Sequence, residues 1–344
     1  MNSEWQKILA ADSPGTSDAC LGHATGADHH TALCALTSEV VLHVTGEDAE
    51  KFLQAQFSND ISALEHPGSQ LSTWSSPKGR VIAMLGLARI SDAYLLRLTA
   101  ELLEPVLKRL RMYVLMAKVS IEPRDDLLVM AFSGEQAATT LSGAGVDLPQ
   151  NTNDTHELPA GGWITRVRDS AAAGLTHRYE IVADCAQVAQ HWNTLKSVCV
   201  AAAESNWRLQ NIDAGIPSIN AATTEAFVLQ MLNLQHIDGV SFKKGCFPGQ
   251  EVVARMQYLG KLKRQMVCLQ HVGDNVPKAG DEIFKAGRDS AVGKVVDAVS
   301  VDGNSCRMLA VVAIAELSEP LFLSKDEQHK LDLLDLPYET PAAS

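Results

Sequence analysis

Nothing in the chain approaches the roughly 18–20 consecutive apolar residues that span a bilayer. Basic side chains are also in short supply: 29 Lys and Arg stand against 41 Asp and Glu, a net charge of −12. A surface of that sign repels nucleic acid and acidic lipid overall, so any RNA contact needs a local basic patch. The seven cysteines (20, 34, 185, 199, 246, 268 and 306) are odd in number and include no CxxC pair. That argues against both a disulfide framework and a zinc ribbon. Residues 1–9 carry Glu4 and lack the apolar core of a signal peptide. The expected setting is therefore the reducing cytoplasm, with no membrane partner.

What is present is enough apolar material for more than one core. At 344 residues, 46% of them hydrophobic, the chain predicts two or three domains. Residues 1–32 read as a flexible N-terminal arm. The histidines within Gly22-His-Ala-Thr-Gly-Ala-Asp-His-His30 lie in a stretch without helix or strand pattern, and read as solvated rather than as a metal site. A first α+β domain covers 33–124, with contributions from 205–262. Its helix buries Ala49, Phe52, Leu53 and Phe57, Ser76-Pro77-Lys78-Gly79 turns the chain, and an apolar strand follows to Ile90. A second α+β domain covers 125–204. From Lys263 short apolar runs alternate with Gly, Asp and Asn turns, including Asp302-Gly303, which predicts a small antiparallel β-barrel over 263–325. Residues 326–344 read as a peripheral tail.

The chemistry concentrates between Lys243 and Arg255. Gly245 and Gly249 bracket Cys246 and free the backbone to turn sharply; Phe247 precedes Pro248 and is biased toward extended geometry. Gln250 and Glu251 open a helix with Val252, Val253 and Met256 on one face. Cys246 thus belongs to a taut turn at a helix N-terminus, beside Lys243 and Lys244, where positive charge and free amides favour a thiolate. The other six cysteines read as small buried hydrophobes. Trp207 offers an indole face on which a flat heterocycle could stack, although a helix-packing role is equally natural for it.

Lys244-Gly-Cys-Phe-Pro-Gly-Gln-Glu251 resembles the K-G-C-[FY]-x-G-Q-E signature of the YgfZ family, and Val252-Val-Ala-Arg255 continues it. Asn211-Ile-Asp-Ala-Gly-Ile-Pro217, Asn59-Asp-Ile61 and Pro77-Lys-Gly-Arg80 are similar to further blocks of that family, in order along most of the chain. The resemblance implies the fold of the glycine-cleavage T-protein: three α+β and β domains in a ring, closed by a C-terminal antiparallel barrel. It implies tetrahydrofolate as cofactor, held by Trp207, Lys244, Gly245, Gly249, Gln250, Glu251 and Arg255 and, more loosely, by Glu180. It implies Cys246 as the reactive residue, a transient rather than stable metal ligand. The partners implied are iron–sulfur client enzymes and their assembly machinery, served by a monomer.

One departure from the family falls near Glu39, where its other folate-linked tryptophan would lie. Another concerns the true aminomethyltransferases, which place an Asp just after the first glycine turn. Here Gly79 to Ile90 contains no Asp or Glu, so no general acid or base is available in that run. Transferase turnover is accordingly disfavoured. A tRNA-modification role would act through Arg255, Lys261, Lys263 and Arg264 or through iron–sulfur enzymes; direct RNA binding is disfavoured because aromatics do not interleave with these charges.

Overall fold

The computed structural model describes residues 3–12, 31–158, 162–169, 174, 176–258, 260–273 and 275–340. In chain order the elements are α1 (Ser3–Asp12), β1 (Ala32–Ala35), β2 (Glu39–Thr45), α2 (Ala49–Gln56), β3 (Gly68–Ser75), β4 (Val81–Ile90), β5 (Ala93–Thr99) and α3 (Leu103–Val114). There follow β6 (Ser120–Pro123), β7 (Leu127–Phe132), α4 (Glu135–Gly143), β8 (Thr155–Glu157), β9 (Trp163–Arg166), β10 (Tyr179–Asp184), α5 (Cys185–Leu195), β11 (Val200–Ala202) and α6 (Glu204–Asp213). The chain ends with α7 (Gln250–Tyr258), β12 (Arg264–Val272), β13 (Glu282–Lys285), β14 (Gly293–Ser300), β15 (Ser305–Ala313), β16 (Leu321–Phe322) and β17 (Lys330–Leu334).

The strands form a sheet ordered β11-β1-β7-β10-β9-β8, a second ordered β3-β4-β5-β2-β6, and a closed barrel ordered β12-β15-β14-β13-β16-β17. Two compact units emerge: residues 1–52, 62–70 and 85–208, and residues 53–61, 71–84 and 209–344.

In the first unit the six-stranded sheet is apolar on both faces, because alternate side chains point to opposite sides. Leu33, Met130, Phe132, Tyr179 and Ile181 share one core with helices α1, α4 and α5. Cys34, Val129, Ala131 and Val182 share another with Trp207. Glu180 lies between Tyr179 and Ile181 and therefore points to the Trp207 side. The side chain of Asp184 caps α5 by accepting from the Gln187 N–H (2.9 Å).

Three expectations change. The arm predicted over 1–32 begins with a core helix, because Trp5, Ile8 and Leu9 repeat at helical spacing and are buried; Trp5 meets the edge of Trp192 at 5.7 Å. The histidine run 22–30 lies outside the described residues. Nor do residues after 325 form a peripheral tail: β17 closes the barrel by pairing with β12 and β16, and the Tyr338 hydroxyl donates to Gly215 C=O (2.8 Å). Finally, β1 belongs to the six-stranded sheet, pairing parallel with β11, so the sequence boundary near 125 divides one sheet.

Candidate functional site

In the second unit, two glycine turns lie back to back. Pro77, Lys78 and Gly79 form a three-residue hairpin loop: Gly79 N–H donates to Ser76 C=O (2.8 Å), Ser76 N–H donates to Arg80 C=O (2.8 Å), and Gly79 adopts φ 70°. Phe247 to Gln250 form the other turn, closed by Gln250 N–H on Phe247 C=O (3.1 Å), with Gly249 at φ 82° after Pro248. Proline followed by a positive-φ glycine is the type II pattern. A Cβ on Gly249 would lie 2.6 Å from both Gly79 Cα and Ser76 O, so only glycine permits this approach. Gly245 is different: a Cβ there meets nothing within 4 Å.

A third element joins them. Lys244 Nζ donates to the carbonyls of Gln54 (2.7 Å), Phe57 (2.5 Å) and Asn59 (2.9 Å), where α2 ends and leaves acceptors free. The residue is 7% exposed. Burial pushes its ammonium down to about 8, against the pull of Asp60. Asn59 Nδ2 donates to Asp238 C=O (2.7 Å), and Ser58 Oγ to Gly239 C=O (2.8 Å). The sequence blocks at 59–61, 77–80 and 244–251, far apart in the chain, thus meet in one place.

Cys246 sits between these fastenings and is exposed, whereas Cys34, Cys199, Cys268 and Cys306 are buried and Cys185 is intermediate. Burial pushes the Cys199 and Cys268 thiols up to about 12. Lys244, expected beside the sulfur or a ligand, has its ammonium turned to the carbonyls at and just after the end of α2. Glu251 and Arg255 are exposed on α7 and pair with each other at 3.2 Å. Gln250 starts that helix.

The first unit carries a separate constellation. Arg97, on β5, bridges Glu39 (3.0 Å) and Glu180 (2.9 Å). Its guanidinium has room because Gly86 is its cross-strand neighbour; a Cβ there would lie 3.1 Å from Nη2. Burial raises the Glu39 carboxyl; Arg97 pulls it back in part, and Glu180 and Glu204 add to the rise. Glu180 also accepts the Trp207 indole N–H (3.3 Å). The fully buried Arg178 sets its guanidinium 4.3 Å from the Trp207 ring centroid.

Trp207 is only 2% exposed, so the open stacking face expected of it is occupied by Arg178. Its edge positions Glu180. Sequence reasoning missed Arg97, Arg178 and Gly86. A usable signal was the charge interrupting an apolar strand, as in Ala93–Thr99 and Tyr179–Asp184. Among the described residues no group of three or more His, Cys, Asp or Glu could hold a metal ion. None of their helices is long and apolar enough to cross a membrane.

No family model matches the chain. Among solved structures, it is similar to the glycine cleavage system aminomethyltransferase T from Bartonella henselae, at TM-score 0.68 and 17% identity over 92% of this chain and 88% of that one. It also matches heterotetrameric sarcosine oxidase from Corynebacterium sp. U-96, at TM-score 0.36 and 12% identity over 56% of this chain and 95% of that one. The chain has the fold of the T-protein, a mixed α/β architecture with a closed antiparallel barrel.

Proposed function

We propose that the protein binds tetrahydrofolate and supports the assembly or repair of iron–sulfur clusters in client enzymes. The observation that carries this reading is the thiol of Cys246, the one exposed thiol among the described residues, on a short segment braced from two sides, by Gly249 against Gly79 and by Lys244 at the end of α2. A braced, accessible sulfur can approach a client; a mobile one would lose entropy on each encounter. Thiolate is a soft ligand suited to iron, and clusters normally take four protein ligands, so one cysteine makes only a passing contact.

The donor set of the first unit fits a pterin. Glu180 uses one oxygen for Trp207 and the other for Arg97, and a carboxylate has about four lone-pair positions, leaving two for a pair of N–H donors. Glu180 would hold the pterin edge, Arg97 and Trp207 fixing its orientation. When bound, tetrahydrofolate supplies a reduced pterin and nitrogens that carry one-carbon units. Aminomethyl transfer itself is not part of this reading, since β4 presents no carboxylate. A role in tRNA modification would follow indirectly, through iron–sulfur enzymes.

In cells that depend on this protein, Cys246→Ala should lower the activity of iron–sulfur enzymes while the variant accumulates normally. Client activity at the wild-type level would contradict the role.

A further inference from the structure

The end of α3 presents a group of side chains that the Cys246 and Glu180 sites do not use. Met112, Tyr113, Leu115 and Met116 are exposed within five residues, Leu115 at 87% and Met116 at 98%. Scattered apolar residues on a surface are ordinary; a contiguous group marks a protein or membrane contact.

The backbone holds this group outward. Val114 to Ala117 form a turn closed by Ala117 N–H on Val114 C=O (2.8 Å), with Leu115 at φ 43°, ψ −108°. That is the first corner of a type II′ turn, a position glycine normally fills. The base of the turn is clamped. Lys118 N–H donates to Asp48 Oδ2 (2.9 Å), and the Lys118 carbonyl lies where a Cβ of Gly46 would be. Two apolar side chains are therefore fixed in the solvent by a strained conformation.

The charge around the tip reverses that of the chain. Between Glu104 and Glu122 stand Lys108, Arg109, Arg111 and Lys118, with no carboxylate. The acids facing the tip from the β2–α2 corner are already engaged at its base: Glu47 pairs with Lys118 Nζ (2.7 Å), and Asp48 holds the Lys118 N–H. Lys108 lies one turn behind Met112 on α3, as i, i+4 neighbours do, and Arg111 stands in the last turn of the helix.

We propose that this tip is a peripheral membrane contact, which inserts Leu115 and Met116 at the surface of an anionic bilayer while Lys108 and Arg111, whose Nη2 also donates to Ile121 C=O (2.8 Å), meet lipid phosphates. Two arguments favour a bilayer over a protein groove. The four side chains expose on the order of 500 Å², short of the roughly 800 Å² per partner of a stable protein interface. A bilayer needs no matching surface, and apolar residues, a tyrosine and a basic stem are what its interface accepts. The overall charge of −12 conceals this local reversal and makes binding orientation-dependent and sensitive to salt.

Flotation of the full chain with vesicles of equimolar phosphatidylserine and phosphatidylcholine, against phosphatidylcholine alone, tests the proposal. The wild type should float with the anionic vesicles, less with the neutral ones, and less again when salt is raised. The double variant Leu115→Gly/Met116→Ser should lose about tenfold in partitioning, yet melt no lower than the wild type, since glycine suits the Leu115 conformation. Absence of flotation with anionic vesicles, equal flotation with both kinds, or an unaffected double variant would overturn it. Self-association or protein capture through the tip without vesicle binding would overturn it too.

Discussion

The two glycines beside Cys246 look alike in sequence and should behave oppositely when replaced by alanine. At Gly249 the backbone is at φ 82°, which costs an L-residue about 1–2 kcal/mol. The added Cβ would also sit 2.6 Å from Gly79 Cα and Ser76 O, backbone atoms of the facing hairpin that cannot rotate away. Forcing an extra carbon into such a contact costs about 1–3 kcal/mol more. Gly249→Ala should therefore lose roughly 2–5 kcal/mol in urea unfolding. At Gly245 the backbone is ordinary and the space open, so Gly245→Ala should change stability by no more than about 0.5–1 kcal/mol in either direction. Equal losses for the two variants, or a loss at Gly249 below about 1 kcal/mol, would refute the back-to-back arrangement of the turns.

Arg97→Met leaves Glu39 and Glu180 without their shared cation and should cost about 3 kcal/mol, at the low end of the usual range because Arg97 is partly exposed. The Glu39 carboxyl, raised by burial and relieved of the Arg97 pull, binds protons more readily folded than unfolded, so the deficit should shrink as pH falls toward about 4; a pH-independent deficit would contradict this. The Lys244 ammonium should titrate near 8 by ¹⁵N NMR rather than at the usual value above 10. Because the folded state releases that proton first, the wild type should gain stability relative to Lys244→Met as pH rises from about 8 to about 10; a midpoint above 10 would contradict it. In a Cys20→Ser background, iodoacetamide should label Cys246 well before Cys34, Cys199, Cys268 or Cys306 in peptide mass mapping. Leu115→Gly should stabilise the fold by about 1 kcal/mol in thermal unfolding, and a loss of that size would deny the strain.

The barrel was legible because its short apolar runs are separated by Gly, Asp and Asn turns, a local signal. Its last strand was not: Lys330–Leu334 is short and charged, and only pairing with β12 and β16 makes it a strand. Trp5, Ile8 and Leu9 adjoin a polar stretch that masked their helical spacing. The turn around Cys246 could be read because glycine and proline act locally, and Gly249 fulfils that reading. Gly245 does not, since neither its φ nor its surroundings require glycine. Its lysine could not be read either: nothing local to Lys244 indicates carbonyls at 54, 57 and 59. The Glu39–Arg97–Glu180 bridge has the same character, since Glu39 and Arg97 lie on the paired strands β2 and β5 while Glu180 comes from β10 of the other sheet.

Calorimetric titration of tetrahydrofolate into the wild type and into Glu180→Gln tests the account at its centre. The wild type should bind, and the variant, checked as folded by circular dichroism, should bind at least about tenfold more weakly for want of a charged acceptor. A wild-type protein that binds no folate, or a variant that binds it equally well, would contradict the account.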